Sequence, residues 1–417
     1  MPSVPLPLLR PFPAVRPADA RAQDVAAPPY DVLNTEEARR MAQGRPWSFL
    51  HVSKPEIDLP PETDPYAAEV YAKGAENFER MIAEGVLRQD DAPCFYVYRL
   101  EMGEQVQTGI VGAASVAAYE SGRIRKHELT RPSKEDDRVR QVEAVKAHTG
   151  PVMIAHRPNA RIRELIAAQV ADAPACSVTL EGVKHTIWVV SGSADVQALT
   201  EAFEAEEAIY IADGHHRSAA AERVAKARRA ANPEGKGDEW YESFLSVVFA
   251  TDEMRILDYN RVVADLNGMD AAAFLFRLES DFTVEPAGGE AKPGQRREFG
   301  MYLDGRWYRL KPRAVPETGD DAVAALDISL LSRMILEPLL GIGDPRLDPR
   351  IDFVGGIRGL GELKRRVDSG EMAVAFAVYP TSMEDLMAVS DAGQIMPPKS
   401  TWFEPKLADG LASLMLD

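Results

Sequence analysis

The segment from residue 208 to 231 constrains the fold most strongly, because it runs from a buried strand directly into a long helix. It reads AIYIADGHHRSAAAERVAKARRAA. The apolar run at 209–212 predicts a short buried strand, and the small apolar residues at 219–224 predict a helix that packs back on it. Gly214 lies at the junction, where a tight turn needs a positive φ. The segment therefore predicts a strand–turn–helix unit.

Polar residues occupy this junction, and their position favours an anion site. The first turn of a helix presents unpaired N–H groups and the positive end of the helix dipole. An arginine there is unfavourable unless an anion lies nearby. Gly214, His215, His216 and Arg217 are thus the predicted phosphate- or nucleotide-binding residues, and Asp213 and His216 are predicted catalytic residues. In the alternative interpretation, Asp213 only caps the helix and the histidines only pack.

A zinc site made of the two adjacent histidines is not expected. Neighbouring helical residues point about 100° apart, so His215 and His216 are poorly placed to bind one ion.

A second polar segment, KHELTRPSKEDDR at 126–138, reads as a loop that leads into a charged helix. Phosphoryl transfer needs cations around the transferred group, and carboxylates that hold Mg²⁺ or orient the nucleophile. Glu128 is predicted as a catalytic residue and metal ligand, Asp136 as a second metal ligand, and Lys134 and Arg138 as phosphate contacts. The alternative is an ordinary solvated charged face.

The segment MPPKSTWFEPKL at 396–407 combines prolines, aromatic residues and lysines, which is unusual for a frayed tail. We expect it to dock on the body of the protein. Lys399, Ser400 and Thr401 are predicted phosphate contacts; the alternative is a purely structural clasp.

Composition excludes several classes of function. The sequence has 48 Lys and Arg against 65 Asp and Glu, a net charge of -17, which disfavours a nucleic-acid partner. Two cysteines exclude a disulfide scaffold. Prolines at 2, 5, 7, 11 and 13 would break the core of a signal peptide, and no apolar run is long enough for a membrane span. We expect a cytoplasmic protein with a small-molecule substrate, no membrane partner and an undetermined oligomeric state.

The fold class expected is α/β or mixed α+β, because strand-like and helix-like runs mix without strict alternation. We predict mixed sheets flanked by helices. An N-terminal lobe at 1–200 would carry the segment 126–138, and a C-terminal lobe at 201–417 would carry the DGHHR box at 213–217.

Several segments together resemble the family known as domain of unknown function 1015. They are APPYDV around Tyr30, KHELTRPSKEDDR, YIADGHHR, LLSRMILEPLLGI at 330–342 and MPPKSTWFEPKLADGL at 396–411. Their order along the chain is the order expected for that family, whose name implies no function.

The DGHHR box is also similar to an element of the ParB/sulfiredoxin-like superfamily, and free serine kinases of that superfamily carry such a box at their nucleotide-phosphate site. This resemblance implies a ParB/sulfiredoxin-like element around the box. It further implies phosphoryl transfer from ATP, ADP or pyrophosphate, with Mg²⁺, to a small hydroxyl compound such as L-serine. The alternatives are a non-catalytic nucleotide-binding regulator and a hydrolase that releases phosphate.

Overall fold

The computed structural model describes residues 6–417, so Pro2 and Pro5, used above against a signal peptide, lie outside the described residues. The chain forms two compact units. The first runs through Met254 and also contains Pro405–Asp417, and the second is Arg255–Glu404. Within residues 6–417, every helix is too short or too polar to cross a membrane.

Between residues 6 and 254, the first unit contains twelve strands and nine α-helices, besides short 3-10 turns. The strands are β1 (Leu9–Arg10), β2 (Val15–Pro17), β3 (Leu87–Gln89), β4 (Phe95–Met102), β5 (Gln105–Ser115), β6 (Ile124–Arg125), β7 (Ala147–His148), β8 (Val152–His156), β9 (Cys176–Leu180), β10 (Val183–Val190), β11 (Ile209–Asp213) and β12 (Ser243–Ala250). The helices are α1 (Ala22–Val25), α2 (Thr35–Ala42), α3 (Leu50–Ser53), α4 (Ala68–Ala83), α5 (Val116–Glu120), α6 (Pro132–Val145), α7 (Ala160–Gln169), α8 (Ser193–Glu204) and α9 (His215–Ala231).

A nine-stranded mixed sheet organises this unit. Its order is β6-β11-β8-β12-β5-β4-β10-β9, and β1 pairs with β5. β11 is parallel to β6 and antiparallel to β8, and β12 is parallel to β8 and antiparallel to β5. The predicted mixed α/β class is confirmed. The boundary predicted at residue 200 falls between β10 and β11, which both belong to this sheet, so the structure divides the chain elsewhere.

The predicted strand and helix at 208–231 are β11 and α9. Ile209 and Ile211 are fully buried in the core of the sheet, and Ala221 and Ala225 of α9 join the same cluster. The charged helix predicted from about Lys134 is α6, which begins at Pro132; a proline is favoured in the first turn because its missing N–H has no helical partner there.

The second unit contains a six-stranded antiparallel sheet in the order β15-β17-β16-β19-β14-β18 and a separate pair, β13-β20. Its strands are β13 (Arg255–Leu257), β14 (Tyr259–Val263), β15 (Phe282–Pro286), β16 (Phe299–Leu303), β17 (Arg306–Pro312), β18 (Ile351–Gly355), β19 (Val374–Ala377) and β20 (Trp402–Glu404). Its helices are α10 (Ala271–Leu278), α11 (Asp327–Leu331), α12 (Gly359–Asp368) and α13 (Met383–Asp391).

The segment Pro405–Asp417 docks on the first unit, whereas residues 396–404 of the segment expected to dock belong to the second unit. Its strand β21 (Leu414–Met415) pairs with β7, and Asp409 forms an isolated bridge with Ala27. Asp409 is 1% exposed. This docking fixes Lys406 and Asp409 close to the start of α9.

Candidate functional site

The turn between β11 and α9 requires a glycine. Gly214 has φ +99°, a conformation that side chains with a Cβ rarely adopt. A Cβ there would lie 3.1 Å from Nε of Arg217 and 3.3 Å from Cα of Val152. Among the described residues, no side chain caps the helix that begins at His215. Within the first turn, the N–H of Arg217 donates to the carbonyl of Gly214 at 2.9 Å, and no side chain occupies the capping position in front of the turn.

Asp213 ends β11 and is held by two cations. Nζ of Lys406 donates a hydrogen bond to Oδ2 of Asp213 at 2.9 Å, and Nη2 of Arg217 lies 4.0 Å from Oδ1. Burial alone would raise the pKa of Asp213, but Lys406 and Arg217 outweigh it and hold the pKa below its ordinary value. Asp213 is consequently ionised and oriented by an ion pair, and it does not cap α9.

The first histidine of the box packs against the loop that follows β6. His215 and His127 form an edge-to-face pair with ring centroids 4.4 Å apart. Nδ1 of His215 lies 3.8 Å from Oε2 of Glu128. The second histidine has a different partner: Nε2 of His216 accepts a hydrogen bond from the backbone N–H of Arg131 at 3.2 Å. As expected from helical geometry, the two adjacent histidines have different partners.

The two buried histidines are neutral at ordinary pH. Burial lowers the pKa of His127 to about 4. Burial also lowers the pKa of His215 well below its ordinary value, and the neighbouring His127 acts in the same direction. Both imidazoles are thus available as neutral donors or ligands.

Arg217 and Arg138 meet at a small polar cavity. The Arg138 guanidinium lies 3.8 Å from the ring centre of Tyr30, and Nη2 of Arg217 lies 3.7 Å from Oδ2 of Asp31. Arg217 also donates a hydrogen bond to the carbonyl of Pro151. The cavity has a volume of about 30 Å³, room for about two water molecules, is partly open to solvent, and is lined by Tyr30, Ser53, Arg138, Gln141, Val142, His148, Thr149, Gly150, Arg217 and Asp409.

Four of these lining residues carry a buried polar atom that has no hydrogen-bond partner among the described residues. The atoms are Oγ of Ser53, Nε2 of His148, Nε of Arg217 and Oδ1 of Asp409. Buried polar atoms normally have partners, and their absence points to water, an ion or a ligand. The cavity is therefore polar and, at its present size, suited to water or a small ion.

Charge in the cavity is balanced between the arginines and the carboxylates. Burial opposes the charge of Arg217, but Asp31 and Asp213 keep its pKa above the ordinary value. Burial raises the pKa of Asp409 to about 7, against the opposing effect of Arg217. Asp409 can therefore gain or lose a proton near neutral pH.

Comparison with known proteins identifies the family. The model of a family described as a protein of unknown function (DUF1015) matches residues 9–329. The chain belongs to the DUF1015 family. The match covers the DGHHR box and the segment 126–138, whereas the segments 330–342 and 396–411, also used in the resemblance, lie outside it. No curated protein matches the DUF1015 chain.

Solved structures with a related fold are distant. A free serine kinase in complex with AMP is 12% identical and has a TM-score of 0.37, over 76% of this chain and 94% of that one. A conserved hypothetical protein from Pyrococcus furiosus is 13% identical, with a TM-score of 0.35, over 75% and 97%. C-terminally truncated SbnI from Staphylococcus aureus is 11% identical, with a TM-score of 0.38, over 73% and 87%. The activity of the DUF1015 chain has to be argued from its own site.

Two of the predicted site residues are held by partners on the outer side of the segment 126–138. Nζ of Lys134 donates to the hydroxyl of Tyr66 at 2.7 Å. Oδ1 of Asp136 accepts from Nη2 of Arg223 at 2.6 Å. Their predicted roles, a phosphate contact and a metal ligand, remain predictions.

The predicted phosphate contacts of the C-terminal segment belong to the second unit. Lys399 places Nζ 5.7 Å from the ring centre of Tyr259. The hydroxyl of Ser400 donates to the Pro397 carbonyl, while Thr401 directly precedes β20. Their contact with a phosphate likewise remains a prediction.

Lys406, Asp409 and His148 were not singled out from the sequence. The first two lie within the quoted segment 396–411, only a few residues beyond the lysine and hydroxyl groups that the pattern favoured. His148 lies in the apolar-flanked AHTGPV stretch, and nothing in that stretch indicates that its ring faces a cavity.

Proposed function

We propose that this DUF1015 chain is a small-molecule phosphotransferase. The start of α9 would receive the donor phosphates. The adjacent polar cavity, which at about 30 Å³ would have to widen, would receive an acceptor that carries a hydroxyl group. The observation that carries the proposal is the position of the uncapped DGHHR turn beside a cavity with four unpartnered buried polar atoms.

The donor site rests on the first turn of α9. Its backbone N–H groups and Gly214 allow close approach of phosphate oxygens. His216 lies on the same turn and accepts a hydrogen bond from the backbone of Arg131, just before α6. The resemblance of the box to that of free serine kinases in the ParB/sulfiredoxin-like superfamily supports ATP, ADP or pyrophosphate as the donor.

The acceptor site rests on the mixed charges of the cavity. Arg138 and Arg217 match a carboxylate, Asp31 beside Arg217 matches an ammonium group, and Ser53 and Thr149 offer hydroxyls. A zwitterionic amino acid with a hydroxyl side chain has this combination of groups. L-Serine, which the box resemblance suggests, is the smallest such compound.

Proton transfer in this proposal has two carboxylate candidates. Asp213 is held ionised by Lys406, which suits an orienting role. Asp409 has a pKa of about 7, and a general base works best when its pKa lies near the operating pH. We therefore assign Asp213 to orienting the acceptor hydroxyl and Asp409 to accepting its proton, in place of the predicted Glu128.

Magnesium fits the chain's own residues poorly. The converging ligand set that contains Glu128 is completed by two imidazoles, His127 and His215, whereas Mg²⁺ strongly prefers oxygen ligands. Asp136, the other predicted ligand, pairs with Arg223. Mg²⁺ enters the proposal only as a counter-ion of the donor phosphates, which it would screen from repulsion by Asp213.

The test is phosphorus NMR on purified protein with Mg²⁺ and L-serine, with ATP, ADP or pyrophosphate supplied in separate reactions. We expect phosphoserine with one donor, and its loss in Asp213→Asn. Asp252→Asn is the matched control, because Asp252 is an exposed carboxylate that pairs with Arg163.

Each other outcome has a defined meaning. Release of phosphate in the absence of any acceptor would indicate a hydrolase instead of a kinase. Binding of the nucleotide with no turnover of any donor would instead favour a non-catalytic regulator, the other alternative.

A further inference from the structure

The strongest unexplained cluster outside the cavity is formed by His127, Glu128 and His215. One ligand atom from each side chain lies within 4.8 Å of the others. Parallel pairing of β6 with β11, in which Arg125 is opposite Tyr210, brings the ends of both strands to the same edge of the sheet. The cluster is therefore positioned by the backbone of two paired strands.

His127 is the member that most needs a partner. Its side chain is 1% exposed, and neither ring nitrogen makes a hydrogen bond of good geometry among the described residues, although the backbone of Ile211 lies close enough to raise its pKa slightly against burial. Burial of an imidazole without any partner is unfavourable. A ligand bound to one of these nitrogens would offset that cost.

We propose that His127, Glu128 and His215 bind a divalent transition metal ion, with Zn²⁺ as the first candidate. Two imidazoles and one carboxylate form the donor set of many three-ligand zinc sites, in which a fourth position remains open. The same donor set excludes Mg²⁺ and Ca²⁺, which select oxygen ligands. This inference does not depend on phosphoryl transfer.

Metal binding would require the three ligand atoms, which lie within 4.8 Å of one another, to move closer together. Nδ1 of His215 lies 3.8 Å from Oε2 of Glu128, and metal–ligand bonds of about 2.0–2.1 Å would bring such atoms somewhat closer together. The backbone N–H of His127 points at Nε2 of His215 over 3.5 Å, a weak contact. Coordination through Nδ1 would move the ring proton to Nε2 and lengthen this contact.

Local charge also suits an ion. The carboxylate of Glu128, 41% exposed, contributes a negative charge and a route from solvent.

The test uses the metal-depleted full-length protein titrated with Co²⁺ and with Zn²⁺. Co²⁺ reports coordination by visible absorption, and calorimetry gives the Zn²⁺ stoichiometry and affinity. We expect one ion per chain, the intense cobalt spectrum of a four- or five-coordinate site, and no displacement by excess Mg²⁺.

Three variants locate the site. Glu128→Gln and His127→Gln should each weaken Zn²⁺ binding by at least roughly 100-fold, since loss of even an outer partner costs up to that much. Glu128→Gln is nearly isosteric and half-exposed, so it keeps the test valid if His127→Gln fails to fold. His51→Gln is the control, because His51 also pairs with a carboxylate, that of Asp58 at 2.8 Å.

Failure of the full chain to bind one ion would overturn the proposal, as would Zn²⁺ affinity that Glu128→Gln leaves unchanged. Both measurements are independent of phosphoserine formation. Failure of the metal site and failure of the proposed kinase are therefore distinguishable.

Discussion

Replacing Asp409 with asparagine should make the stability of the protein less dependent on pH. Asp409 is 1% exposed, and burial raises its pKa from 3.8 to about 7, with a further contribution from Asp31 against the opposing charge of Arg217. The folded state thus holds this proton more tightly than the unfolded state. Because the native state binds more protons between these two pKa values, stability is lost as pH rises through that range.

The size of this effect follows from the two pKa values. A tenfold difference in proton affinity corresponds to about 1.4 kcal/mol, so the rise from 3.8 to about 7 amounts to about 4 kcal/mol at high pH. At about pH 5 the unfolded carboxyl is largely ionised, and roughly a third or slightly more of that loss has already occurred. About 2.5 kcal/mol should therefore be lost between about pH 5 and about pH 8 in the wild type but not in Asp409→Asn.

Urea unfolding of both proteins at these two pH values measures the effect. The free energy of unfolding of the wild type should decrease more with rising pH than that of Asp409→Asn. Asp252→Asn, a change at an exposed carboxylate, should follow the wild type. Parallel pH dependence of wild type and Asp409→Asn would refute the assignment of a raised pKa to this residue.

Two further changes test the turn and the ion pair. Gly214→Ala should destabilise the protein by clearly more than Gly182→Ala in urea unfolding. Gly214 has φ +99° and Gly182 has φ +83°, but only at Gly214 would an added Cβ meet Arg217 and a neighbouring backbone. The free energy of unfolding should therefore fall by about 1–2 kcal/mol in Gly182→Ala and by more in Gly214→Ala. Equal losses would show that crowding is unimportant. A double-mutant cycle of Lys406→Gln and Asp213→Asn at neutral pH should give a coupling free energy of about 1–2 kcal/mol. This value is smaller than that of a fully buried pair because both side chains are partly exposed. Strictly additive losses of unfolding free energy would contradict the ion pair.

Local features of the sequence predicted local structure well. β11 and α9 follow from an apolar run, a glycine and a run of small residues, and each of these acts within a few positions. The hairpin of β16 and β17 likewise follows from Asp304-Gly305, a favoured two-residue turn. In both cases the information lies in adjacent residues.

Contacts between distant segments were not predictable in this way. Lys406 reaches Asp213 across 193 positions of sequence, and His127 meets His215 only because β6 pairs in parallel with β11. No pattern in a single sequence specifies either pairing. For the same reason, the division of the chain into two units could not be read from the sequence, since the strand order of the large sheet interleaves segments from both sides of residue 200.

The second unit interrupts the first along the chain, and this has a consequence for synthesis. By Ala250, every strand of the nine-stranded sheet has been made, together with the complete DGHHR box. Lys406 holds Asp213, and Asp409 lines the cavity. Both residues leave the ribosome only after the whole of Arg255–Glu404. The second unit, being contiguous, can fold in the meantime. A nascent or truncated chain that stops before Pro405 would therefore contain the phosphate-binding turn but lack the residues that charge and close its cavity.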